Sequence, residues 1–166
     1  MVFGAEWLRA QPEIDESKIA IMGASYGGYM TLMALTKKPE VFATGVSLVP
    51  VVDWLELYEL SDSFFRSFVN TLLGGPPSEK EELYRGRSPI THVVNMKAPV
   101  MIMAGQKDSR CPIQPIEKFV KNLNEMDHPH ELAVEEKTGH LSAFMKWEQS
   151  IPLLTSILNY LKKVLP

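Results

Sequence analysis

One cysteine, Cys111, stands in a chain of 166 residues. An internal disulfide framework is therefore excluded, and a reducing compartment is expected. No excess of basic residues exists either: 17 Lys and Arg face 20 Asp and Glu, a net charge of -3. The electrostatic footprint of a nucleic-acid binder is missing, so no nucleic-acid partner is expected. No apolar run approaches the roughly 20 residues of a membrane span, so no membrane partner is expected. The opening residues lack a basic stretch followed by an apolar one, which argues against a secretory leader and for a cytoplasmic location. No repeat or low-complexity stretch interrupts the chain. What is present is 45% hydrophobic and 22% charged residues, the balance of an ordinary globular domain. A chain of this length buries roughly 70% of its unfolded surface, enough for a core without staples.

The pattern alternates between short apolar runs and helical periodicity. Val2 to Gln11 reads as a helix with Val2, Phe3, Trp7, Leu8 and Ala10 on one face, ended by Pro12. Strands are expected at 18–22, 44–49, 98–104 and, more weakly, 131–134. Helices are expected at 26–38, at 55–73 as one or two, at 79–84, at 113–126 and at 150–164. The last should turn Ile151, Leu154, Ile157, Leu158 and Leu161 inward. Strands alternating with helices imply βαβ units, hence an α/β fold with a mostly parallel sheet flanked by helices. Ligands in such sheets bind beyond the carboxyl ends of the strands. Four segments there come under inspection: 23–25, 50–53, 105–108 and 138–140.

Gly23-Ala-Ser25-Tyr26-Gly27 matches G-x-S-x-G, with a strand before it and a helix after it. The glycines suit a tight turn at which strand and helix approach closely. Such a turn pushes the Ser25 hydroxyl out over the sheet edge and aims the Tyr26 N–H at an oxyanion. The bare pattern arises by chance in roughly one chain in twenty of this size, so its partners matter. Asp108 follows the third strand and His140 the fourth, the Ser, Asp, His order of α/β-hydrolases. A free hydroxyl is a weak nucleophile and needs a base. His140 would take the Ser25 proton, and Asp108 would fix the imidazole tautomer. The bland alternatives are Ser25 as a helix N-cap, Asp108 as a turn residue and His140 as a loop histidine. Each explains one residue, and none explains the glycines.

Other titratable residues carry less. His128 and His130 have no cysteine or carboxylate to complete a metal set, so a solvated turn is expected and no metal. His92 reads as a loop residue and 79–82 as a solvated helix face. Cys111 lies three residues after Asp108 and is expected to be a small buried residue near the site.

The run 19–31, Ile-Ala-Ile-Met-Gly-Ala-Ser-Tyr-Gly-Gly-Tyr-Met-Thr, resembles the nucleophile segment of the prolyl oligopeptidase family of serine peptidases. Segments 87–93, 108–112 and 139–140 resemble further family segments in the same order, and 51–62 is most similar to the archaeal acylaminoacyl branch. The resemblance implies a serine hydrolase that cleaves acyl-peptide bonds in short peptides or acyl-amino acids, with no cofactor. It also implies that Arg110 binds a substrate backbone carbonyl, for which a guanidinium fork is suited. An apolar pocket is implied as well, lined by Val51, Trp54, Phe65, Phe68, Val69 and Cys111. A carboxylesterase with the same triad and an inactive fragment acting by association are the alternative readings. The resemblance places residues 1–166 in the C-terminal portion of an α/β-hydrolase domain, with front strands missing. The absent part would carry the second oxyanion donor, and losing one such donor costs roughly 2.7–4 kcal/mol. The strand at 19–22 would then be an open edge, and self-association or a missing N-terminal segment along it is expected.

Overall fold

A computed structural model describes residues 1–140 and 147–165. Four parallel strands form one sheet in the order β1-β2-β3-β4: β1 (Ala20–Ala24), β2 (Thr44–Leu48), β3 (Val100–Gly105) and β4 (His130–Glu135). Helix α1 (Val2–Arg9) precedes β1, and α2 (Tyr26–Lys37) links β1 to β2. Three helices, α3 (Trp54–Leu60), α4 (Ser63–Leu73) and α5 (Pro77–Arg87), fill the connection from β2 to β3. Helix α6 (Ile113–Glu125) links β3 to β4, and α7 (Trp147–Val164) follows.

Strand β3 explains why its sequence is apolar throughout. Successive side chains point to opposite faces of the sheet. Val100, Ile102 and Ala104 join Leu32 and Leu35 of α2 and Ile116, Phe119 and Leu123 of α6 in one cluster. Met101 and Met103 join Val46, Leu48 and the α7 residues Leu153, Ile157 and Tyr160 in another. Each buried Val, Leu, Ile, Phe or Met side chain in these clusters contributes roughly 1.5–3 kcal/mol relative to exposure. Together the two layers hold the carboxyl ends of all four strands in one row.

Two helix faces differ from the sequence expectation. In α7, Ile157 and Leu161 pack on the sheet as expected, but Ile151, Leu154 and Leu158 are half exposed or more, and Leu153 and Tyr160 face the sheet in their place. The helix carries two overlapping apolar arcs, and periodicity alone does not choose between them. A buried hydrogen bond does: Tyr160 Oη lies 2.8 Å from Thr44 Oγ1, whose hydroxyl also reaches the Pro99 carbonyl at 2.9 Å. In α1, Ala5 is the buried residue, Leu8 packs beside it, and Phe3 and Trp7 point to solvent. Close approach selects the small side chain rather than the large ones. Helix α5 also runs longer than expected, with a kink at Lys80.

Strand β1 lies at the edge of the described sheet, as the family resemblance implies. Among the described residues no strand pairs with its outer side, and Met22 there is 58% exposed.

Burial pushes the Tyr160 phenol up to about 12, while the Thr44 hydrogen bond partly opposes the rise. The folded value exceeds the ordinary value of 10.0, so this contribution to stability is complete below pH 10 and lost as pH rises toward 12. Tyr160→Phe should cost about 1 kcal/mol at pH 8, where the hydrogen bond is lost. The gap between the variant and the native chain should narrow at pH 11. Urea unfolding at the two pH values measures both quantities.

Candidate active site

Ser25 ends the turn between β1 and α2 with φ 57° and ψ -119°, a left-handed conformation that a side chain adopts only under strain. It stands at the N-cap position, yet its side chain caps nothing. Its hydroxyl is therefore free for another partner, and the capping alternative fails. The Ser25 N–H donates to the Leu48 carbonyl at 2.8 Å, which ties the turn to the end of β2.

Two of the three glycines are required by space. A Cβ on Gly23 would lie 2.4 Å from the Gly27 carbonyl oxygen, and one on Gly28 would lie 2.7 Å from that of Leu48. A Cβ on Gly27 would meet nothing within 4 Å. The turn thus needs Gly27 only as backbone for Gly23 to approach. Gly28→Ala should destabilise the chain by about 1–3 kcal/mol, because backbone must move. Gly27→Ala should be neutral or stabilising by up to about 1 kcal/mol, since alanine favours the helix. Chemical unfolding of the two variants, side by side, tests the contrast.

Ser25 Oγ lies 2.8 Å from His140 Nε2, and His140 Nδ1 lies 2.7 Å from Asp108 Oδ2. A carboxylate only accepts, so Nδ1 carries the hydrogen and donates to Asp108. Nε2 is then the acceptor, and the Ser25 hydroxyl donates to it. The Asp108 side chain is fully buried. Its other oxygen, Oδ1, accepts from the Arg110 and Cys111 N–H groups, each at 2.8 Å. The carboxylate is fixed on both sides before any substrate arrives.

Sequence reading missed what holds the acid and base loops together. Gly105 ends β3, and a Cβ there would lie 2.8 Å from the Thr138 carbonyl oxygen. That same oxygen accepts from the Lys107 N–H at 3.1 Å. The available signal was a glycine ending one strand and Thr-Gly just before the histidine.

Beside Ser25 lies a cavity of about 280 Å³. Val51, Trp54, Phe65, Phe68, Arg110 and Cys111 line it, together with Ser25, Tyr26 and His140. Val69 does not: it is fully buried in the cluster beneath, among Tyr29, Trp54 and Leu57. At α4 the inward turn of the helix puts Val69 one layer deeper than Phe65 and Phe68. The Arg110 guanidinium sits 5.2 Å from the centre of the Phe65 ring, a cation–π contact. Among the described residues no carboxylate pairs with Arg110. Burial and the nearby Asp108 carboxylate push the Cys111 thiol far up, which keeps it neutral and unreactive. His128 and His130 bond to backbone carbonyls, and among the described residues no cluster suits a metal ion.

The sequence model of the prolyl oligopeptidase family matches residues 1–166, the whole chain. The chain belongs to the prolyl oligopeptidase family. Among solved structures it is similar to Pyrococcus horikoshii acylaminoacyl peptidase, at 29% identity and a TM-score of 0.85, over 96% of this chain and 26% of that one. Among curated relatives it is similar to dipeptidyl peptidase family member 6 of Caenorhabditis elegans, 31% identical over 76% of this chain and 18% of the relative. Another, inactive dipeptidyl peptidase 10 of Mus musculus, is 28% identical over 74% of this chain and 14% of its own length. The chain spans about a fifth of the length of the first of these relatives. A relative is thus named as inactive, and similarity alone does not decide activity. The side chains at the site must. The fold is that of the α/β-hydrolase peptidases, with part of the sheet described here. Among the described residues no helix is long and apolar enough to cross a membrane.

Proposed function

We propose that this chain carries the acyl-transfer site of a serine hydrolase that cleaves acyl-peptide bonds after large apolar residues. The observation that supports it is the continuous hydrogen-bonded row Ser25, His140, Asp108 opening onto an aromatic-lined cavity. Ser25 Oγ attacks the scissile carbonyl carbon while His140 Nε2 takes its proton. Asp108 holds the imidazole and stabilises the imidazolium that forms. The Tyr26 N–H, at the first turn of α2 and without an intrahelical partner, donates to the carbonyl oxygen as it becomes an oxyanion. His140 then returns the proton to the leaving amine, which leaves an acyl group on Ser25. A water attacks the acyl-enzyme by the same route in reverse roles.

The cavity supports the substrate class. Val51, Trp54, Phe65 and Phe68 present carbon surface, and among the described lining residues the one fixed charge is Arg110 at Phe65. An acyl-phenylalanine anilide should therefore be cleaved at least about 100-fold faster than its acyl-lysine counterpart, because an ammonium would be desolvated beside the guanidinium. Steady-state hydrolysis of the two anilides, with a short-chain nitrophenyl ester alongside, tests the reading. Equal rates for the two anilides would contradict the pocket assignment. Ester turnover with neither anilide cleaved would favour the carboxylesterase.

We also propose that residues 1–166 belong to the C-terminal portion of the hydrolase domain; the match of 96% of this chain to 26% of the archaeal enzyme supports a portion of a longer chain. The exposed, uncharged β1 edge supports self-association or a further segment there. A monodisperse monomer by light scattering would count against self-association.

A further inference from the structure

Val49 directly follows β2 and has φ 42°. A left-handed conformation at a β-branched residue is a genuine outlier, and such strain persists only where the surroundings impose it. Here they do. The Val49 N–H donates to the Met103 carbonyl at 2.8 Å, and its side chain is 1% exposed in the cluster with Met101, Met103 and Leu153. The strand therefore cannot run on straight.

The residues on either side of this bend meet the site. Leu48 before it gives its carbonyl to the Ser25 N–H, and the same oxygen abuts Gly28 in the first turn of α2. Pro50 after it also packs against Gly28, and Val51 lines the cavity. One bend thus fixes the backbone of Ser25, the helix turn that carries the Tyr26 N–H, and a wall of the pocket.

We propose that Val49 is a positioning residue for Ser25. Its Cβ-restricted backbone, pinned by the N–H bond to the Met103 carbonyl, keeps a strained bend that holds the Leu48 carbonyl against the nucleophile turn. A glycine would adopt the same angle without strain but would leave the bend free to move. An alanine would keep most of the restriction on the backbone. The functional half of this inference rests on Ser25 being the nucleophile, and the structural half does not.

The test compares the native chain with Val49→Gly, Val49→Ala and Val46→Ala. Val46 lies in the same buried cluster, in register with Met22 and Met101 in the body of β2 and outside the cavity lining, so it serves as the control for core loss. Three readouts are taken: amide hydrogen exchange at Ser25, thermal melting, and the rate of fluorophosphonate labelling at Ser25. Val49→Gly should speed Ser25 exchange at least about tenfold more than Val46→Ala does, as local opening of one bond requires. It should slow labelling by about 10–100-fold, the effect of a small misplacement of a nucleophile. Val49→Ala should label within about threefold of the native chain, since its restricted backbone preserves the bend. It should also melt no higher than Val49→Gly, the reverse of the usual order of alanine and glycine, because only alanine keeps the strain. Exchange at Ser25 equal in Val49→Gly and Val46→Ala would overturn the proposal, as would Val49→Gly melting well below Val49→Ala. A native chain that does not label would overturn the nucleophile reading instead, and the exchange and melting comparisons would still decide the role of Val49.

Discussion

Asp108→Asn will lower acyl transfer at Ser25 by about four orders of magnitude, the loss expected when the acid of a Ser-His-Asp set becomes an amide. The reason lies in how Asp108 is bonded. Oδ1 accepts two backbone N–H groups and Oδ2 accepts His140 Nδ1–H, so the site uses acceptors on both sides. Asparagine offers one acceptor and one donor. If its oxygen stays with the Arg110 and Cys111 N–H groups, its NH₂ faces Nδ1. The imidazole then carries its hydrogen on Nε2, which donates to Ser25 and no longer accepts its proton. If the amide flips, its NH₂ confronts two backbone donors, and the loop that carries Arg110 and Cys111 is pushed open. The first outcome removes the base, and the second displaces the loop that aims it. Kinetics on an activated ester, with unfolding followed in parallel, separates them: the first leaves stability nearly unchanged, and the second lowers it. Activity within about tenfold of the native chain would contradict the role given to Asp108.

Arg110→Ala should lower kcat/KM for a peptide anilide by about 10–100-fold, chiefly through KM, with a charge-assisted hydrogen bond to the substrate carbonyl lost. Arg110→Lys should recover little of it, because an ammonium neither stacks on Phe65 nor presents a planar fork. Labelling by a small fluorophosphonate should be unaffected. That reagent has no peptide carbonyl to reach, and the Arg110 N–H to Asp108 is backbone and survives the substitution. A parallel loss in labelling would instead mean that the side chain supports the Asp108 loop. Steady-state kinetics and labelling rates together make the distinction.

The strands and the residues at their carboxyl ends were legible because both follow from local pattern. A run such as Val100-Met-Ile-Met-Ala104 can be buried on two faces only inside a parallel sheet. Gly23, Ser25 and Gly28 announce a tight strand-to-helix turn. Ser25, Asp108 and His140 stand at the ends of three strands, and the sheet brings them within hydrogen-bond reach. What sequence did not reveal depends on which of two equivalent surfaces finds a partner. Tyr160 turns α7 because Thr44, 116 residues away, offers a buried hydroxyl. Val69 and Phe68 are neighbours on α4, yet one is core and the other lines the cavity. The bend at Val49 left no trace in residue type, since valine is the residue least suited to it. The contact of Gly105 with Thr138 spans two loops that no periodicity connects.

The measurement that bears most directly on the central claim is fluorophosphonate labelling of the purified chain, with Ser25→Ala alongside and mass spectrometry to locate the adduct. The predicted result is one adduct per chain, on Ser25, absent from Ser25→Ala. A chain that melts cooperatively yet takes no adduct, or an adduct that persists in Ser25→Ala, would contradict the assignment of Ser25, His140 and Asp108 as a working site.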